Sequence, residues 1–368
     1  MPDAVLLFPP LLYLALLGIS AFAVALPRRD RPAARARRVA VIVAARNEEQ
    51  NIGPCLRSLA SQDYPADLFE VIVVDDGSTD ATPRRALQEG RQIRRFRLIS
   101  ATRPGGEGKA AALARACDAT DAEFYLFTDA DCTVPPRWIS RTVGHFRSPR
   151  TGAVAGFTLL SGSGIAAGVQ ALDWLFLFSL AAAWARLRYP LTAVGTNLAV
   201  RAEAYRAAGG FPGIPFSVTE DMALVRAVTR GGRYRLCFPL DPQAMVQSAP
   251  CAGIGELLRQ KKRWFTGGTG FPAPVLLLFS VLYLFHVGLL AALWSAPLAG
   301  VYLAAAKGAA DLLLILPALV RLRCLRLLPL FPLMEAYLWA YVTLIPPMVL
   351  VSRRVEWKGR VYHGKGPP

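Results

Sequence analysis

Residues 4–26, AVLLFPPLLYLALLGISAFAVAL, carry no charge and are long enough to cross the hydrocarbon core of a bilayer as a helix. Arginines follow at 28, 29, 31, 35, 37 and 38, and no basic residue precedes the apolar run. That order is the reverse of a cleaved signal peptide. Three more apolar stretches, 271–295, 297–320 and 328–351, fill the C-terminal third. With 54% apolar residues in 368, the pattern predicts an integral membrane protein with one N-terminal and about three C-terminal transmembrane helices. The arginine run, and RQKKRW at 259–264, put the large middle region in the cytoplasm and the N-terminus outside. Four crossings would leave the C-terminus outside, yet SRRVEWKGRVYHGKG is basic. One C-terminal stretch is therefore alternatively re-entrant or interfacial.

The formal charge of +16 calls for an anionic partner. In a membrane protein, lipid head groups and phosphorylated substrates outrank nucleic acid, which is not expected as a partner. The cysteines at 55, 117, 132, 237, 251 and 324 show no CxxC pairing and read as reduced thiols. His145, His286 and His363 are too scattered for a histidine-based metal site.

Between about 39 and 266 the chain alternates β-branched runs with amphipathic stretches. VAVIVAA, EVIVVDD, FRLISA and FYLFTDAD read as strands; NIGPCLRSLASQ, ATPRRALQEG and GKAAALARACDAT read as helices. Continuously apolar strands separated by helices predict an α/β domain with a parallel sheet, and such sheets bind ligands at the carboxyl ends of their strands. Residues 169–186 are apolar but interrupted by Asp173 and Arg186. They read either as a helix on the membrane surface or as a buried core helix.

Acidic residues collect at element ends. Asp75 and Asp76 close the second strand before a Gly-Ser turn, which is also ordinary turn chemistry. Asp129 and Asp131 stand two apart after a buried run; on an extended segment their carboxylates would point the same way and repel unless a cation sat near them. A hard ion with oxygen ligands, Mg²⁺ or Mn²⁺, suits that pair and keeps positions open for phosphate oxygens. Glu220 and Asp221 fall in the first turn of a helix, where acids also complement the helix dipole. Gln260, Arg263 and Trp264 share one helical face, either to grip a diphosphate or as a juxtamembrane basic cluster with an interfacial tryptophan. RPGGEGKAA is not a Walker A loop, because the spacing would require glycine at Arg103 and a hydroxyl at Ala110. Its Lys109 could still face an anion at a helix start.

In chain order these features are ARNEE (45–49), DDGSTD (75–80), GK (108–109), DAD (129–131), GTNLAVR (195–201), TED (219–221) and QKKRW (260–264). The set resembles a membrane-bound family 2 glycosyltransferase with a GT-A fold over about residues 39–268. The resemblance implies that Asp75, near Ala45, Asn47 and Glu48, contacts the base or ribose of a nucleotide sugar, for which a UDP-sugar is the family expectation. It implies that Lys109 orients the nucleotide and that Asp131 and Asp129 hold the metal on the diphosphate, Asp129 either directly or mainly through the sugar. Asp221 would be the general base, with Glu220 as its rival, and Gln260, Arg263 and Trp264 would close over the diphosphate. The outcome would be inverting.

The implied architecture is an N-terminal transmembrane helix (1–27), a basic linker (28–38), a cytoplasmic Rossmann-like GT-A domain (39–268), a C-terminal transmembrane region (269–352) and a basic tail (353–368). VEWKGRVY resembles the tail of ceramide-glucosyltransferase-like enzymes, which favours a membrane lipid as acceptor in a bacterial-type inner or cell membrane. A processive polysaccharide synthase and a non-catalytic membrane scaffold are the alternatives. The scaffold predicts loss of Asp75, Asp131, Asp221 or Arg263, and all are present. Lys307, Asp311 and Glu335 either line a polar path or pair with one another; the i, i+4 spacing of the first two favours pairing.

Overall fold

A computed structural model describes residues 2–26, 36–100, 108–268, 273–352, 354–357 and 360–363. The arginines at 28, 29, 31 and 35, the 103–107 part of the glycine-rich stretch and the end of the basic tail lie outside the described residues.

The strands are β1 (Val39–Ala45), β2 (Phe69–Asp75), β3 (Phe96–Ser100), β4 (Phe124–Asp129), β5 (Cys132–Thr133), β6 (Thr151–Ala155), β7 (Thr158–Leu160), β8 (Leu198–Arg201), β9 (Arg235–Cys237), β10 (Val246–Ser248), β11 (Arg354–Trp357) and β12 (Arg360–His363). The helices are α1 (Pro2–Ala25), α2 (Ile52–Ala60), α3 (Thr82–Gly90), α4 (Lys109–Asp118), α5 (Trp138–Gly144), α6 (Ile165–Arg186), α7 (Ala202–Ala207), α8 (Glu220–Thr229), α9 (Ile254–Gly268), α10 (Ala273–Ser295), α11 (Pro297–Arg321) and α12 (Phe331–Val351).

A seven-stranded sheet runs β3-β2-β1-β4-β8-β6-β9. Its first four strands are parallel, as their apolar runs predict. Beyond β4 the sheet is mixed, because β8 pairs antiparallel with both β4 and β6. Alternate side chains feed two cores. Ala40, Ile42, Ile72, Val74, Tyr125 and Phe127 face α4 and α6, while Val39, Val41, Val43, Val71, Val73 and Leu126 face α2 and α5. Each large apolar side chain buried this way is worth about 1.5–3 kcal/mol.

Strand register brings the chemistry to one edge. Ala45 is level with Asp75 and Ala44 with Asp129, so β1, β2 and β4 end together. β8 runs the other way, with Leu198 opposite Phe127, so the Gly195–Asn197 turn before β8 arrives at that same edge. Asn197 fixes the turn from below: Trp138 Nε1 donates to its Oδ1 at 2.9 Å, and its Nδ2 donates to the carbonyls of Phe157 and Ala244, each at 2.8 Å.

Of the described helices, Ile165–Arg186, Pro297–Arg321 and the stretch Leu325–Val351 are long and apolar enough to cross a membrane; the shorter described apolar stretches Pro9–Ala25 and Phe279–Ser295 belong to α1 and α10. α6 is nonetheless largely buried: it packs on β7 and β9 and against α1, α11 and α12. It is a core helix between the sheet and the apolar helices, because their surfaces cover its apolar sides. Lys307 and Asp311 do pair, at 2.6 Å, and Glu335 accepts from the same ammonium at 2.6 Å. Tyr13 Oη donates to Asp311 at 2.6 Å and ties α1 to α11. All six cysteines are free thiols.

Candidate active site

The loops after β1 and β2 are latched to each other. Asn47 adopts φ 53°, in the left-handed region, and its amide donates to Ser78 Oγ at 3.0 Å while its Oδ1 accepts from Thr79 N at 2.8 Å. Glu48 N donates to Thr82 Oγ1 at 2.7 Å, and Glu49 and Asp80 exchange side-chain-to-backbone bonds with the facing loop. Glu48 is 6% exposed, and its Oε2 accepts from Asn51 Nδ2 at 2.7 Å. Asp75 is buried and accepts from Ser78 N at 3.3 Å. Asp76 accepts from Gly108 N at 3.0 Å and so holds the start of α4. Gly108 has φ 95°, a conformation that suits glycine.

Lys109 is the first residue of α4, and its ammonium lies 2.7 Å from Asp129 Oδ1 and 3.1 Å from Glu220 Oε1. Burial disfavours its charge, but Asp129, Glu220 and Asp221 outweigh burial and push its pKa up. Asp221 accepts from the backbone N–H of Gly195 at 2.6 Å and of Met222 at 2.7 Å. Burial, followed by the neighbouring Glu220 charge, raises its carboxyl to about 6, against the opposing pull of Lys109 and the two N–H groups. The turn before β8 thus grips a carboxylate whose proton affinity lies near neutrality, the range suited to a general base.

Gln260, Arg263 and Trp264 on α9 meet these groups across one cavity of about 1210 Å³. Its lining joins Ala45 and the charged or acidic Arg46, Glu48, Asp76, Lys109, Asp129, Asp131 and Asp221 with apolar Leu276, Phe279 and Leu282 of α10 and Ile345 and Leu350 of α12. Trp264 packs on Trp174 with ring centroids 5.3 Å apart. Behind it, Lys261 and Asp173 form a buried ion pair, and Tyr341 Oη donates to Asp173 Oδ1 at 2.9 Å. That joint ties α9, α6 and α12 together.

The "Glycosyl transferase family 2" model matches residues 40–208, and the "Glycosyl transferase family group 2" model matches residues 126–352, more than half the chain. The chain is a family 2 glycosyltransferase. It is 38% identical over 116 residues to a beta-monoglucosyldiacylglycerol synthase of Synechocystis sp., covering 32% of this chain and 24% of that protein. It is 28% identical over 228 residues to the glycosyltransferase AglE of Haloferax volcanii, covering 61% of this chain and 71% of that one. The chain thus spans about a quarter of the cyanobacterial synthase. Among solved structures, the mannosyltransferase PcManGT from Pyrobaculum calidifontis, in complex with GDP-Man and Mn²⁺, superposes with a TM-score of 0.60 at 24% identity, over 88% of this chain and 96% of that one. That likeness shows the shared GT-A fold.

Most of the motif residues that the sequence singles out lie along this cavity. Asp76 is among the residues lining the cavity, and Asp75, buried beside it at the end of β2, is not. Asn47 likewise lies outside the cavity wall and serves as the latch between loops. Asp129 and Asp131 do not share one extended segment: β4 ends at Asp129, and residues 130–131 form a turn. Ala130 is buried beneath that turn, while both carboxylates line the cavity. Arg46, whose guanidinium donates to Asp76 O at 2.7 Å, and the Gly195–Thr196 backbone also belong to the site. ARNEE and GTNLAVR were their signals in the sequence.

The donor set fits a divalent ion on a diphosphate. Two carboxylates with hard oxygen atoms face one cavity, and no cluster of three or more His, Cys, Asp or Glu among the described residues would hold an ion alone. Phosphate and water oxygens would have to complete the shell, as Mg²⁺ and Mn²⁺ sites commonly arrange.

Proposed function

We propose that this glycosyltransferase moves a sugar from a nucleotide sugar, of which a UDP-sugar is the first candidate, to a hydroxyl of a membrane lipid, with inversion at the anomeric carbon. The observation that carries the reading is a single cavity lined both by the charged motif residues and by apolar residues of α10 and α12. A diphosphate suits the first set and an acyl or isoprenoid chain the second.

In this reading the latched loops after β1 and β2, with Asp76, Arg46 and Glu48, receive the nucleoside. Asp75, with Asn47 on the facing loop, is the candidate contact to the base or ribose. Lys109, Arg263 and Gln260 grip the diphosphate, and Trp264 shields it from water. Asp131 and Asp129 would hold Mg²⁺ or Mn²⁺, which when bound neutralises charge on the leaving diphosphate. Asp221 takes the proton of the acceptor hydroxyl as its oxygen bonds to the anomeric carbon, and the nucleoside diphosphate departs from the opposite face. The lipid-synthase relative and the apolar helices support a lipid acceptor and a membrane setting, with the GT-A domain on the cytoplasmic side by the positive-inside rule.

The test is an assay of the purified protein in detergent with Mn²⁺ or Mg²⁺, a panel of nucleotide sugars and extracted lipids, read by mass spectrometry. A single glycolipid that disappears in Asp131→Ala and Asp221→Asn is the expected result. Donor turnover unchanged in both variants would sink the site, and a ladder of products would point to processive synthesis.

A further inference from the structure

The three apolar helices that follow α9 begin and end on the same side of the molecule, which an odd number of crossings cannot achieve. α9 belongs to the catalytic side: Gln260, Arg263 and Trp264 line the cavity with Asp129 and Asp221. A Cβ on Gly267 would stand only 2.4 Å from Thr219 Oγ1. β11, directly after α12, packs against α9. The chain therefore leaves and re-enters the catalytic side between residues 268 and 354.

α10 and α11 account for one excursion and return. They are joined through Ala296 and pack on each other. At the far end of α11, the Arg321 guanidinium donates to the carbonyls of Val24 at 3.1 Å and Ala25 at 2.8 Å. That is where α1 ends and where Arg186, the last residue of α6, donates to Leu26 O at 2.9 Å. α6 lies on β7 and β9 of the catalytic domain, so the chain is back on the catalytic side at residue 321.

α12 then touches catalytic-side elements at its start, middle and end. The turn leading into it packs on α6, where a Cβ on Gly168 would meet Leu330 at 2.3 Å. In its middle, Tyr341 bonds to Asp173 of α6, which pairs with Lys261 of α9. Its last turn leads to β11 on α9. Its 21 residues would measure about 30 Å, enough to cross, so its contacts and not its length decide its course.

We propose that α12 does not cross the bilayer. It lies in the leaflet facing the catalytic domain, covered on one flank by α6 and α9, with Leu344 and Val351 exposed to lipid on the other. The C-terminal hairpin β11–β12 shares the compartment of the GT-A domain, as the basic residues around it favour. Because α12 supplies Leu338, Ile345 and Leu350 to the apolar lining of the cavity, the cavity opens there to the near leaflet. Resting on the lipid-acceptor reading, this selects a near-leaflet lipid that enters sideways.

The test is labelling by a membrane-impermeant maleimide, in intact cells and in inverted vesicles, of full-length chains with one added cysteine. Ser61→Cys marks the catalytic domain, Ser295→Cys marks the α10–α11 link, and a cysteine appended after Pro368 marks the tail; the unsubstituted chain gives the background of native thiols. Ser61→Cys and the tail are expected to label from one side and Ser295→Cys from the other. A tail labelled from the same side as Ser295→Cys would overturn the proposal, as would all three labelling from one side. Neither outcome depends on finding the donor or acceptor, so failure here is distinct from failure of the transfer assay.

Discussion

The Lys109 ammonium sits 2.7 Å from Asp129 Oδ1 and so supplies a positive charge to one of the two carboxylates proposed to hold a metal ion. One lysine faces Asp129, Glu220 and Asp221 together, an excess of negative charge that a divalent cation would balance. Lys109→Gln should bind Mn²⁺ without nucleotide about five-fold more tightly, equivalent to ~1 kcal/mol for a partly exposed pair, while donor KM rises. Mn²⁺ titration followed by electron paramagnetic resonance reads the first effect and initial rates the second. Weaker Mn²⁺ binding in the variant would contradict the competition.

Asp221, raised to about 6 by burial and by Glu220, sets an acid limb. Below that pH its carboxyl is protonated and cannot accept the hydroxyl proton, so the rate should rise roughly ten-fold per pH unit up to about 6 and then level. Lys109 holds this pKa down, so Lys109→Gln should move the limb to higher pH. Asp221→Asn should lower kcat by about 10²–10⁴ with donor binding retained, as measured by calorimetry.

The Lys261–Asp173 pair, with side chains 4% and 2% exposed, ties α6 to α9. Removing one partner strands a buried charge, so Asp173→Leu or Lys261→Met alone should cost about 3–5 kcal/mol. The double variant should recover most of that loss. Thermal unfolding in detergent followed by intrinsic fluorescence checks the order; a double variant less stable than both singles would refute it.

Gly267 faces Thr219, two residues before Asp221, with room for no Cβ: the nearest atom would be at 2.4 Å. Gly267→Ala should push α9 away from that loop, costing about 1–3 kcal/mol in overpacking. Because Arg263 and Trp264 ride on the same helix, kcat should fall more steeply than stability. Gly267→Ala combined with Thr219→Ser, which removes the clashing methyl while keeping the hydroxyl, should restore part of the rate.

The parallel half of the sheet was legible in the sequence because doubly buried strands admit almost only apolar residues, so β1, β2 and β4 stand out with their terminal acids. The motif residues on α8 and α9 were legible for a similar reason, since helical periodicity puts Gln260, Arg263 and Trp264 on one face. Which aspartate of the pair 75–76 faces the cavity was not legible. It depends on a turn in which Ser78 claims one carboxylate and Gly108 the other. The turn at residues 130–131 was equally hidden, because nothing in DAD distinguishes a continuing strand from one that stops. The burial of α6 needed the apolar helices in place, since its composition alone suits a membrane surface as well as a core.

The two sets of lining residues come from separate lengths of chain: 44–131 and 191–221 for the charged set, α10 and α12 for the apolar one. Between them α12 packs along α6 and α9, with Asp173, Lys261 and Tyr341 bonded to one another in that packing. Specificity for what is given and for what receives it can therefore diverge independently. A hybrid in which residues 273–352 come from a related chain should inherit a new receiver while keeping its old donor, provided these three residues are transplanted as a matched set.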